Sequence, residues 1–76
     1  MVHAVIMIRT GPGTSETVRE TIETIDGVVD AHVVAGNFDV VAEVSGDEVY
    51  DVIQAASSEI QATEGVEETK TYVALD

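Results

Sequence analysis

Asp39 follows Gly36-Asn37-Phe38 between two apolar runs, and its carboxylate could accept a hydrogen bond from the ammonium group of a small ligand. An Asp beside a turn also fixes the loop through backbone hydrogen bonds. Gly36 and Asn37 shape that loop and can offer backbone groups to a ligand carboxylate. Thr69 and Thr71 could line the same site, or serve as ordinary strand residues with good β propensity. Gly36, Asn37, Phe38, Asp39, Thr69 and Thr71 thus have types that could serve a ligand, though their spacing alone does not require one. His3 and His32 invite a catalytic or metal role, but neither has an assigned third partner, and each reads as a polar side chain on a sheet face. No Ser/His/Asp order, carboxylate dyad or metal spacing rises above chance, so no catalytic residue, metal ligand or cofactor is expected. The Gly11-Pro12-Gly13 loop lacks the lysine of a P-loop and the spacing of a dinucleotide fingerprint, which leaves phosphate binding without support.

The elements that must position these residues follow from periodicity. Val2–Arg9 reads as a strand with Val2, Ala4, Ile6 and Ile8 on one face and His3, Val5, Met7 and Arg9 on the other. Both faces carry apolar residues, so the strand is expected to be central and covered on both sides. A helix capped by Thr14 or Ser15 runs to about Ile25, with Val18, Ile22 and Ile25 inward and Gly27 just past its end. The next two strands, 28–35 and 40–44, form a hairpin about Gly36-Asn37, a dipeptide that tolerates positive φ in a tight connection. Val29, Ala31, Val33 and Ala35 share one face of the first arm, and Phe38, Val40, Ala42 and Val44 share one face of the second. Ser45-Gly46-Asp47-Glu48 reads as a capping box. It starts an amphipathic helix to about Ala62, with Val49, Val52, Ile53, Ala56 and Ile60 recurring on one side. Val66–Leu75 is the last strand, with Thr69, Thr71, Val73 and Leu75 opposed to Lys70, Tyr72 and Ala74. The order is β-α-β-β-α-β, an α+β ferredoxin-like arrangement: a four-stranded antiparallel sheet with two helices on one face. The bare face would carry Val5, Met7, Val34 and Val41 beside His3, His32, Asp39 and Glu43, and face-to-face pairing of two sheets is the natural outlet.

Composition narrows the classes. Seventy-six residues make one small domain whose own core is marginal, and with no cysteine there is no disulfide or thiolate metal site to reinforce it. Association is the expected substitute. Fifteen acidic residues against Arg9, Arg19 and Lys70 give a net charge of −12, which disfavours direct nucleic-acid binding. An acidic, periodic, lysine-poor chain points to a salt-rich cytoplasm where such charge is screened, hence a halophilic source. No signal peptide and no apolar run near the ~20 residues of a membrane helix is present, so a soluble cytoplasmic protein is expected.

Two stretches carry a family resemblance. Asp26-Gly27-Val28-Val29, leading to Ala35-Gly36-Asn37-Phe38-Asp39-Val40-Val41, resembles the strand, Gly-x-aromatic-Asp hairpin and strand of the ligand-sensing (RAM) domain of Lrp/AsnC, or feast/famine, regulators. The ending from Gly65-Val66 through Thr69-Lys70-Thr71 to Val73-Ala74-Leu75 resembles that family's Gly-Val, Thr-x-Thr, Val-x-Leu close. The likeness covers nearly the whole chain, and it is to the family's stand-alone modules, because a strand begins at Val2 where family regulators carry a helix-turn-helix; with the acidic, lysine-poor composition the expected source is a halophilic archaeon. It implies dimers formed through their sheets, assembly of dimers into closed rings, and an amino-acid effector bound between dimers near the central hairpin. A mixed assembly with a full-length Lrp/AsnC regulator would restore DNA contact. Two other classes stay open: a small dimeric enzyme of the monooxygenase or isomerase type, which needs a deep cavity between sheet and helices, and a purely structural assembly module.

Overall fold

Apolar residues at every second position of β1 (Val2–Thr10) place Ala4, Ile6 and Ile8, with Thr10, on one side of a four-stranded antiparallel sheet, all of them buried. The computed structural model describes residues 1–76, apart from the side chains of residues 55–57. After β1 come α1 (Ser15–Ile22), β2 (Val28–Val33), β3 (Val40–Gly46), α2 (Val49–Gln54), a π-helical continuation (Ala55–Ile60) and β4 (Val66–Val73). The strand order is β2-β3-β1-β4 with every neighbour antiparallel, which is the expected ferredoxin-like β-α-β-β-α-β topology. Val18 and Ile22 of α1, Val52 of α2 and Ile60 close one core with Ala4, Ile6, Ile8, Ala31, Val40, Ala42 and Val44, so both helical segments cover the same face. Each fully enclosed Ile or Val there contributes about 1.5–3 kcal/mol of burial.

Several local features depart from the periodic reading, each because pairing across the sheet overrides a local preference. Val28 pairs with Val44 and Asp30 with Glu43, so Val29 is an extra residue held in a β-bulge. The bulge turns Val28 onto the core and leaves Val29 64% exposed; the inner positions resume only at Ala31 and Val33. The hairpin is wider than a Gly36-Asn37 turn. Its strands stop at Val33 and restart at Val40, Ala35 falls in the connection, and Val34 N–H donates to Asp39 O at 2.8 Å to close it. Ser45 does not cap α2. It lies within β3, which runs on to Gly46 to pair with Val2, and its N–H donates to Gly27 O. The side-chain bond expected of a capping box is made three residues later, where Asp51 Oδ2 accepts from Glu48 N–H at 3.2 Å.

The helices are shorter than their apolar stripes. α1 stops at Ile22 and a chain of turns leads through Ile25 to Gly27, whose φ of 94° fits its expected place past the helix. The second stripe loses its α-helical register where i→i+5 spacing begins at Ala55. Val52 and Ile60 stay buried while Val49 and Ile53 are about half exposed; the expected inward placement of Ala56 lies outside the described residues. β4 ends at Val73, leaving Leu75 exposed beyond it. β1 is central, but the subunit covers it on one side only: His3 and Val5 are exposed, and Met7 and Arg9 half-buried.

Candidate functional site

Cross-strand register lays out the uncovered face in rows. Asp30, Glu43, Val5 and Tyr72 form one row across all four strands; His32, Val41, Met7 and Lys70 form the next, and Arg9 opposes Glu68 beyond it. The central pair of strands therefore supplies Val5, Met7 and Val41 to the middle, with Glu43 among them and Arg9 at one end, while Asp30, Lys70 and Glu68 stand on the outer strands. Past Met7 and Val41, residues 34–38 of the hairpin connection wall a groove of about 410 Å³. That volume falls within the roughly 300–1,000 Å³ of small-molecule sites. Gly36, Asn37 and Phe38 are thus brought together with two residues of the sheet, Met7 and Val41.

Arg9 holds this end of the molecule in place. Its Nε and Nη2 donate to Asn37 O at 3.3 and 3.1 Å, its Nη1 pairs with Glu68, and its guanidinium carbon lies 4.9 Å from the centroid of the Phe38 ring. Lys70 Nζ approaches the same ring to 6.0 Å. Two cations thus share one aromatic ring, an arrangement favoured by the ring quadrupole. Neither was picked out by sequence pattern. The available signal was that Arg9 and Lys70 are two of only three basic residues, both at away-facing strand positions, but meeting on Phe38 requires the register between β1 and β4.

Asp39 is tied to the backbone through all its polar groups but one carboxylate oxygen. Its N–H donates to Ile8 O at 2.9 Å, its C=O accepts from Val34 N–H, and its Oδ2 accepts from Thr10 N–H at 2.9 Å. The last bond meets a real need, because β1–β3 pairing ends at Ile8 and Val40, two residues short of Thr10. Thr69 and Thr71 stand opposite Ile8 and Ile6, on the helix-covered side, and Thr69 Oγ1 accepts from Gln61 Nε2 at 3.0 Å. Within one subunit they do not reach the groove. His32 Nε2 lies 3.0 Å from Asp30 Oδ2 on the uncovered face. Among the described residues no group of three or more His, Asp or Glu is placed to hold a metal ion, and no helix is long and apolar enough to cross a membrane. Two other depressions, of about 290 and 270 Å³, are walled mainly by polar side chains such as Asp26, Asp51 and Glu59 in one and Gln61, Glu67 and Glu68 in the other.

The family model described as the Lrp/AsnC ligand binding domain matches residues 3–76. A Thermus thermophilus protein, TTHA0845, has a similar structure with a TM-score of 0.94 and 29% identity, over 100% of this chain and 95% of that one. The hypothetical protein PHS023 from Pyrococcus horikoshii gives a TM-score of 0.90 at 29% identity, over 99% and 90%. A transcriptional regulator from Neisseria meningitidis, NMB0573, solved as a complex with L-Met, has the same fold at 10% identity and a TM-score of 0.83. The match covers 99% of this chain and 50% of the regulator. No curated protein sequence matches.

Proposed function

Because the chain belongs to the Lrp/AsnC ligand-binding domain family, we propose that it senses an amino acid in the groove beside residues 34–38 and reports it through self-assembly. The observation that carries this reading is where the groove lies: it opens at the border of the sheet face that the subunit leaves bare, so an occupant and a second copy would meet there. The L-Met complex of the Neisseria regulator makes amino acids the first class to try. Gly36, Asn37 and Phe38 would contact the effector directly, while Asp39, which accepts Thr10 N–H, would hold the loop that carries them. Thr69 and Thr71, on the other side of the sheet, would take part only through a neighbouring subunit.

Charge distribution favours the bare face as the place where two copies pair. Its strand positions hold Arg9 and Lys70 but only Asp30, Glu43 and Glu68 of the fifteen acids, a net −1 out of −12. Everywhere else the surface repels its own copy. Val5, Met7, Val34 and Val41 are already partly covered, so about 1 kcal/mol apiece remains to be gained when sheets pair. In this reading dimers close into rings, and DNA contact is left to a regulator chain that co-assembles with them, since a −12 surface does not approach phosphates. The acid excess suits a salt-rich cell interior.

The groove opens on the uncovered face rather than between sheet and helices, which favours a sensor over an enzyme. A thermal-shift screen of amino acids in molar KCl, with light scattering on the hits, tests the proposal. At 100 times its dissociation constant an effector adds about 2.7 kcal/mol, a Tm rise of roughly 10 °C or more in so small a domain, and the particle mass should change with it. If no amino acid raises Tm, the sensor reading falls and an assembly module is left.

A further inference from the structure

Resting on the sensor reading above, one more property can be assigned to the same groove: which end of the effector it reads. Of the three basic side chains, Arg19 is held by Glu16 and Glu23, and Arg9 by Glu68 and the Asn37 carbonyl. Among the described residues Lys70 forms no ion pair, in a chain that has fifteen carboxylates to offer. Its backbone stands opposite Met7, which lines the groove, and its ammonium faces the ring of Phe38, which walls it. None of the residues lining the groove is acidic. The neighbouring carboxylate, Asp39, already accepts Thr10 N–H, and the imidazole of His32 in the same row is beside Asp30. One subunit therefore presents an apolar trough with an uncompensated cation at its edge and no uncommitted carboxylate lining it.

We propose that Lys70 reads the carboxylate of the effector, and that the groove accepts short aliphatic carboxylates whether or not they bear an α-ammonium group. A carboxylate beside Lys70 gains a charge-assisted hydrogen bond while its aliphatic body covers Met7, Val41 and Phe38. Without that cation the field of a −12 protein would turn an anion away. The α-ammonium has no counter-charge lining the groove, so amino acids and their 2-oxo analogues should bind alike.

The test is isothermal titration and thermal shift of the wild-type protein, Lys70→Gln and Lys70→Arg. The probes are leucine, 4-methyl-2-oxopentanoate, which lacks the ammonium, and leucinamide, which lacks the carboxylate. Leucine and the oxo acid should bind within about threefold of each other and leucinamide roughly tenfold more weakly. Lys70→Gln should weaken both acids about tenfold, leave leucinamide unchanged and keep the wild-type fold, and Lys70→Arg should recover most of the loss. Leucinamide binding as tightly as leucine, or acids indifferent to Lys70→Gln, would overturn the role of Lys70 while leaving the sensor reading intact. The same holds if only non-aliphatic amino acids raise Tm. If no amino acid, including these probes, shifts Tm, the sensor reading itself falls and this inference falls with it.

Discussion

Along β1 the residues that face the helices, Ala4, Ile6, Ile8 and Thr10, are all buried, while their alternates His3, Val5, Met7 and Arg9 are exposed or half-buried. The same division runs through β3, where Val40, Ala42 and Val44 are enclosed and Val41 and Glu43 are not. One face has completed its packing inside the subunit. The other has Val5, Met7 and Val41 in its middle with nothing over them, and it holds two of the three basic residues of a strongly acidic chain. On the proposed pairing through that bare face, folding and assembly lie on opposite sides of a single sheet, so substitutions should separate by face.

The largest expected effect is on the packed side. Ile8→Ala removes a fully buried side chain between β3 and β4, and should cost about 2–5 kcal/mol in chemical denaturation at every protein concentration. On the other side Val5→Asp should cost the isolated subunit no more than about 1 kcal/mol, chiefly through the like charge of Glu43 directly opposite. It should, however, lower the particle mass in light scattering, because pairing would bury an unpaired carboxylate. A Val5→Asp protein with wild-type mass would place the contact between copies on some other surface.

A second contrast sets two glycine-containing loops against each other. Gly36 has open space where a Cβ would stand, as suits a loop that walls a groove. Gly65 is the opposite: its φ is 98°, and a Cβ would lie 2.8 Å from Val18 Cγ2 and 3.3 Å from Thr14 Oγ1. Its carbonyl also accepts the N–H of Gly11, joining the loops at this end of the core. Gly65→Ala combines backbone strain with overpacking and should cost about 2–4 kcal/mol by calorimetry. A Tm within a degree or two of wild type would mean that β4 can enter the sheet without that close approach. The Gly65-Val66 pair that contributed to the family resemblance thus has a packing reason of its own.

What the sequence revealed, and what it hid, follows from how local each feature is. The alternation in β1 and the pairing of Val18 with Ile22 are properties of single elements, and both were legible. The bulge at Val29 was not, because it depends on how Val28 and Asp30 meet Val44 and Glu43 across the sheet. The shift of the α2 cap from Ser45 to the Glu48–Asp51 pair has the same origin: pairing of Gly46 with Val2 outcompetes a local capping preference. At the candidate site the loop residues 36–38 were visible as a turn signal. Arg9 and Lys70 were not, since they lie 61 positions apart and meet only through a shared ring.

Asp39 sits where the two faces join, and it supplies the most discriminating prediction. Its carboxylate bonds the backbone of Thr10, whose side chain belongs to the packed face, while the preceding residue, Phe38, walls the groove on the other. Asp39→Ala leaves the Thr10 N–H without its acceptor and should cost about 1–2 kcal/mol; Asp39→Asn keeps an acceptor oxygen and should cost less. Ligand binding separates the two roles that Asp39 could have. If its second oxygen receives an effector's ammonium, Asp39→Asn should weaken leucine and spare 4-methyl-2-oxopentanoate. If Asp39 serves only to anchor the loop, both should weaken equally and slightly, through whatever slack the loop gains. The second outcome follows from a groove that reads carboxylates through Lys70, and the first would restore the ammonium as the group recognised.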